Sequence, residues 1–224
     1  MATRTLLQLR AEVRQRANME NSQFVTDSEL DRYINLSLSE LYDILVSKYG
    51  QDYFMTSYDF NTTPGIDAYA LPTDLYKLAG VDLKLDSVRF IRLKRFEFAE
   101  RNRVDYAMTL REIDLKYRLR GDNILFSPIG NMSGRQIRLW YIPKPTQLTT
   151  TTDTVEGYNG WEEHAIITAA IKCLGKEESD TSTLQVELAK ITTRIESMAA
   201  ARDTQSPMRV YDNETVWEYQ GIWP

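Results

Sequence analysis

Residues 25–50 read VTDSELDRYINLSLSELYDILVSKYG, and this stretch contains the clearest structural signal in the chain. Thr26 and Glu29 have the spacing of a capping box, in which the threonine hydroxyl accepts from a backbone N–H of the first helical turn and the glutamate bonds back to the cap. An apolar stripe follows at helical spacing, and its members are Leu30, Ile34, Leu38, Leu41 and Leu45. The sequence therefore predicts a helix over residues 27–49.

Three other segments have the same periodicity, at residues 4–18, 161–178 and 183–202. Their main apolar positions are Leu6, Leu9, Val13, Ala165, Ile166, Ala169, Ala170, Cys173, Leu174, Leu184, Leu188, Ile191, Ile195 and Met198. Helices with one apolar face bury that face against each other. We therefore expect residues 1–50 and 155–205 to form a helical bundle.

Between these helices, residues 51–145 lose the helical spacing and alternate over short segments that are bounded by Gly and Pro. The predicted strands and hairpin arms lie within 53–60, 68–72, 75–85, 90–93, 116–126 and 135–142. Residues 146–154, TQLTTTTDT, are low in complexity and predict a linker. The expected fold class is α+β: a four-helix bundle from the N- and C-terminal segments, an inserted β-rich domain and an extended C-terminal tail.

The tail, residues 206–224, reads SPMRVYDNETVWEYQGIWP. Chain ends are usually polar, but this one carries large apolar side chains without a helical face to bury them. Trp and Tyr commonly anchor interfaces. We therefore expect a docking tail that contacts another polypeptide through Tyr211, Val216, Trp217, Tyr219, Ile222 and Trp223. The alternative is a last strand or loop that packs on its own domain.

The composition excludes several classes of protein. No apolar run approaches the roughly 20 residues that a membrane span needs, and residues 1–10 lack the apolar region of a signal peptide. Cys173 is the single cysteine, so an internal disulfide is excluded and a reducing compartment fits.

Catalytic and metal-binding motifs are equally scarce. One His, His164, and one Cys cannot make a His/Cys zinc site, and the chain has no Gly-rich phosphate loop or nucleophile elbow. The 32 acidic residues leave a carboxylate-pair hydrolase as a hypothesis that no motif supports. We therefore expect no enzyme activity, no cofactor and no bound metal.

Charge is unevenly distributed along the chain, whose formal net charge is −5. Residues 84–120 contain 11 basic and 6 acidic residues, a net charge of +5, whereas residues 153–224 contain 6 basic and 13 acidic residues, a net charge of −7. Within the basic part, residues 89–103 interleave arginines and Lys94 with three phenylalanines, a pattern that also occurs in single-strand binding proteins. A nucleic-acid-binding module that uses residues 89–103 is therefore the alternative function. The other interpretation of this segment is a solvent-exposed surface without a binding role.

Several segments of the sequence resemble segments of the head-to-tail adaptor (connector) proteins of tailed double-stranded DNA bacteriophages. They are residues 5–10 and 24–35 in the opening helices, Tyr69–Tyr76 after the second helix, Trp161–Lys172 with 176–180, and Ala201–Asp203 followed by Pro207, Tyr211 and Asp212. The resemblance covers nearly the whole chain in layout.

The resemblance implies a structural role in the virion, at the head–tail junction, after assembly in the host cytoplasm. It implies a ring, usually of twelve copies, that lies beneath the portal protein, extends the DNA channel and docks tail or nozzle proteins. Double-stranded DNA would pass through the lumen without sequence-specific binding. In such adaptors the C-terminal segment reaches the portal or a neighbouring subunit, which implies that partner for the aromatic tail.

Overall fold

The computed structural model describes residues 4–21, 24–49, 53–100, 115–127, 134–155, 158 and 160–200. These residues form four α-helices and eight β-strands in two sheets. The helices are α1 (Leu6–Arg16), α2 (Asp27–Lys48), α3 (Glu162–Lys176) and α4 (Ser182–Ala200). The strands are β1 (Thr56–Asn61), β2 (Ala68–Ala70), β3 (Leu75–Lys84), β4 (Phe90–Arg92), β5 (Lys94–Arg95), β6 (Lys116–Arg120), β7 (Asn123–Ser127) and β8 (Gln136–Pro143).

Local sequence explains where the first two helices begin. The predicted capping box of α2 is confirmed, because Thr26 Oγ1 accepts from the Glu29 backbone N–H and Glu29 Oε2 accepts from the Thr26 N–H. α1 begins with a second capping box between Thr5 and Gln8. Both boxes satisfy backbone donors that the first turn of a helix leaves without intrahelical partners.

The predicted four-helix bundle is wrong. α1 has 11 residues, half the 22 of α2, and the described side chains of α4 bury only Ile195 and Ala199 fully. Residues outside the helices complete the core of this layer: Ile142 of β8, Leu148, Val155 and Tyr158. Strand and loop residues therefore cover the apolar faces of the helices together with the other helices. With eight strands in two sheets, the described chain is a β-rich α+β fold.

Both sheets have four strands. The first has the order β1-β8-β3-β4 and is antiparallel throughout, whereas the second has the order β2-β7-β6-β5 and contains one parallel pair, β5 with β6. Alternate residues of the two sheets meet in one apolar core formed by Val81, Leu83, Leu93, Leu115, Ile124, Phe126, Ile137 and Leu139. Over the described part of the chain, no helix is both long and apolar enough to cross a membrane.

Candidate interaction surfaces

The helical layer and the sheets meet at a junction built around Tyr42. The Tyr42 hydroxyl donates a 2.7 Å hydrogen bond to the carbonyl of Pro143, the last residue of β8. About two helical turns earlier in α2, the Asn35 side chain forms two hydrogen bonds with the backbone of Leu148. Tyr76 of β3 donates a 2.7 Å hydrogen bond to Asp43 of α2. These bonds fix the end of the first sheet against α2.

A groove of about 520 Å³ lies at this junction, and we call it the junction groove. Aromatic rings and prolines form much of its wall, and its rim is polar. The lining residues are Leu38, Tyr42, Phe54, Pro143, Lys144, Pro145, Thr146, Leu148, Thr152, Asp153, Thr154, Val155 and Tyr158. Burial raises the pKa of Tyr42 to about 12 and raises that of Tyr158 as well. Burial thus makes ionisation of these two phenols less favourable than that of an exposed tyrosine, which is itself neutral at physiological pH.

The rim of the junction groove is held against the start of α1. The Leu6 and Leu7 backbone N–H groups donate to the carbonyls of Asp153 and Thr151, respectively. The Asp153 carboxylate accepts from the Thr149 and Thr150 backbone N–H groups and from both of their hydroxyls. These hydrogen bonds, the Thr150 hydroxyl foremost, hold the pKa of Asp153 far below its usual range. The rim therefore has a defined shape.

The outward face of the second sheet carries a basic row, formed by Lys94, Lys116, Arg118 and Arg120. Strand register places all four side chains on the face opposite the buried Ile124, because Lys94 pairs with Lys116 and the other two follow at alternate positions. No outward position of the described strands in this sheet carries an acidic residue. Glu100 lies 3.4 Å from Lys116 and neutralises part of the row.

The basic residues predicted as a nucleic-acid site are not brought together. Arg89 forms an ion pair with Asp86, and Arg92 lies in the first sheet beside Asp82. Phe96 is buried, whereas Phe98 is 60% exposed and lies under the Arg118 guanidinium. Residues 101–103 lie outside the described residues. Among the described residues of the segment 89–103, Lys94 alone joins the basic row, and the other members of the row follow from the alternation of charge in residues 116–120.

Ion pairs connect the helices across their polar faces. Arg10 of α1 binds Asp31 of α2 through two hydrogen bonds of 2.6 Å. Lys176 of α3 lies 2.8 Å from Glu29. Large apolar side chains remain exposed on the helix surfaces, namely Leu7, Leu36, Val186 and Met198. The helices are thus fixed to one another while α2 and α4 keep surfaces that a neighbouring molecule can contact.

The two residues considered for nucleophilic or metal chemistry are both buried in α3. Cys173 is 1% exposed, and burial raises the pKa of its thiol to about 11. His164 is 4% exposed, burial lowers its pKa, and its Nδ1 atom has no hydrogen-bond partner in the described part of the chain. No group of three His, Cys, Asp or Glu side chains among the described residues has the arrangement of a metal site.

The six predicted docking residues of the tail, Tyr211, Val216, Trp217, Tyr219, Ile222 and Trp223, lie outside the described residues. The structure describes the chain as far as the end of α4, and the last turns of this helix lie next to the end of α2. There Glu196 lies 3.5 Å from Lys48, and the Arg194 guanidinium lies over the Trp161 ring.

Comparison with known proteins gives one family. A search of curated proteins found no match. The family model described as SU10 adaptor protein matches residues 4–211, from just before α1 to Tyr211, the first aromatic residue of the tail. The match confirms the resemblance to phage adaptors and is consistent with a structural rather than an enzymatic role. The chain belongs to the SU10 adaptor protein family and is therefore a phage adaptor protein, a component of the virion.

Proposed function

We propose that this chain forms a ring beneath the portal, extends the DNA channel and docks the tail or nozzle proteins. The family match carries this proposal, because an adaptor joins other virion proteins. The proposed ring contains twelve copies, assembles in the host cytoplasm and lies at the head–tail junction. DNA passes through its lumen without sequence-specific binding.

The ring requires a heterologous interface, in which one face of each copy meets a different face of the next. α2 and α4 are the proposed walls of the ring. α2 has 22 residues and is about 33 Å long, and both helices expose apolar side chains, Leu36 on α2 and Val186 and Met198 on α4. Burial of such side chains between copies would stabilise the ring.

The docking tail is the proposed contact with the portal or a neighbouring subunit. Its residues Tyr211, Val216, Trp217, Tyr219, Ile222 and Trp223 are the proposed anchors, since Trp and Tyr supply large apolar area with a polar end. Five of the six lie beyond residue 211, where the family match ends.

Mixing purified chain with its cognate portal tests the proposal. We expect a complex with several copies of the chain per portal, detected by native mass spectrometry or electron microscopy. A chain that forms no complex with the portal under any assembly condition would contradict the proposed function.

A further inference from the structure

The junction groove has the lining of a site for aromatic side chains. Tyr42, Phe54 and Tyr158 meet in its wall, with ring centroids 4.6 Å apart for Tyr42 and Phe54 and 6.5 Å apart for Tyr42 and Tyr158. Its volume of about 520 Å³ lies within the range of pockets that bind compact organic groups. Aromatic rings favour such surroundings because they bury a large area and pack against other rings in tilted geometries.

The end of α4 is at the same end of the helical layer as this groove. α2 and α3 are antiparallel, since Tyr49 bonds Trp161 whereas Glu29 pairs with Lys176. α4 returns along α3, so α2 and α4 end side by side, with Glu196 paired to Lys48. Tyr42 precedes Lys48 by six residues of helix, or about 9 Å along its axis.

A continuous series of rings leads from that end into the groove. Trp161, under Arg194 of α4, donates to the Tyr49 hydroxyl. Tyr49 contacts Tyr53 with centroids 4.5 Å apart, and Tyr53 contacts Phe54 at 4.5 Å. Phe54 lines the groove. A series of contacting aromatic side chains therefore joins the last turns of α4 to the groove.

The C-terminal segment has the length and chemistry to fill the groove. Tyr211 lies eleven positions after Ala200, the last residue of α4, and eleven extended residues span at most about 36–40 Å. The segment carries Asp212, Glu214 and Glu218 beside its rings, and the rim of the groove carries the exposed Lys144. The rings in the wall complement the aromatic side chains of the segment, and Lys144 on the rim offsets the charge of the Asp153 carboxylate, which is bound by Thr149 and Thr150.

We propose that, in the free subunit, the junction groove binds an aromatic side chain of the same chain's own C-terminal segment, residues 211–223. The groove is then an intramolecular site that portal docking must compete with. Release from it would couple exposure of the tail to contact with a partner. Binding of the tail in the groove does not require the proposed function, whereas its competition with portal docking rests on that function.

Hydrogen exchange on the full chain and on a chain truncated after Asp203 tests the inference. Residues 146–155, at the rim, are expected to exchange about fivefold faster in the truncated chain. A synthetic peptide of residues 206–224, added to the truncated chain, is expected to restore slow exchange. Equal exchange in the two chains would overturn the inference.

Two rim variants separate a specific groove from a general effect. Thr146→Arg places a long side chain at the groove, and it is expected to reproduce the fast exchange of the truncated chain in residues 149–155. Gln147→Arg, at the next exposed position outside the lining, is the matched control and is expected to behave as wild type. Equal effects of the two variants would overturn the inference.

The dependence of the exchange protection on protein concentration shows whether the tail in the groove belongs to the same chain or to a second copy. Protection that stays constant upon tenfold dilution is expected, because an intramolecular contact does not depend on protein concentration. Protection that disappears upon dilution would overturn the inference in favour of a second copy's tail. Since no portal is present, failure of this experiment leaves the proposed function standing, and failure of portal docking leaves this inference standing.

Discussion

The Tyr42 hydroxyl and the Pro143 carbonyl are 2.7 Å apart, and their hydrogen bond joins α2 to the end of β8. Tyr42→Phe removes the donor and leaves a partly buried carbonyl without that partner. We expect the free energy of unfolding to fall by about 1 kcal/mol, measured by urea denaturation. Tyr58→Phe, at an exposed ring of β1, is the control and should change stability by less than about 0.5 kcal/mol. Equal losses would contradict the role of the bond.

Alkaline pH should weaken the same junction. The pKa of Tyr42 is raised to about 12, chiefly by burial, so the folded state disfavours the phenolate. The contribution of Tyr42 to stability is therefore complete below pH 10, the pKa of an unfolded tyrosine, and is lost as the pH rises toward 12. Unfolding free energies measured between pH 9 and 11.5 should fall less steeply in Tyr42→Phe than in wild type. Parallel curves would contradict this assignment.

The burial of His164 predicts that the protein loses stability at acidic pH. Burial lowers its folded pKa, so the unfolded chain binds a proton more readily than the folded chain. Stability from neutral His164 is present above about pH 6.5 and is lost as the pH falls below that value. Urea denaturation between pH 5 and 7.5 should show this slope in wild type, and His164→Leu should flatten it. An unchanged slope would show that another group is responsible.

The Arg10–Asp31 pair should stabilise the helical layer more than an exposed pair does. The two side chains are 17% and 23% exposed and share two hydrogen bonds. Asp31→Asn should cost about 1–2 kcal/mol of unfolding free energy. Asp86→Asn, which breaks the more exposed pair with Arg89, should cost less than Asp31→Asn. The reverse order would contradict the importance of the α1–α2 contact.

The local features of this fold could be predicted from the sequence, and the non-local ones could not. The Thr26–Glu29 capping box fixes the start of α2 through contacts within one helical turn, and the hairpin of residues 116–126 follows from alternation around a tight turn. The four-helix bundle was a wrong prediction because helical periodicity reveals an apolar face but not what covers it. Ile142, Leu148, Val155 and Tyr158 cover it from strand and loop.

The surfaces were harder to predict than the elements. The basic row depends on the parallel pairing of Lys94 with Lys116, residues 22 positions apart, so the sequence segment 89–103 did not reveal it. The junction groove combines residues from α2, from the connection to β1 (Phe54), from β8 and from residues 144–155 and 158, and no single motif marks such a site. The docking tail stays a prediction, since its six residues lie outside the described residues.

DNA binding by the basic row is the property that distinguishes a nucleic-acid-binding module from the adaptor. Because the chain has a net charge of −5, we expect weak binding of duplex DNA at about 0.15 M salt, measured by fluorescence anisotropy. Submicromolar binding would favour the alternative function if the Lys116→Gln, Arg118→Gln, Arg120→Gln triple variant abolished it. The control replaces the exposed Lys48, Lys77 and Lys190 with Gln, an equal change in charge on other surfaces.

The most direct test of the account is portal binding by the full chain and by a chain that lacks residues 207–224. The account predicts that both chains melt cooperatively, that the full chain forms a multi-copy complex with the portal, and that the shortened chain does not. Native mass spectrometry of the two mixtures measures this difference. A shortened chain that still melts cooperatively and assembles on the portal as the full chain does would contradict the central claim.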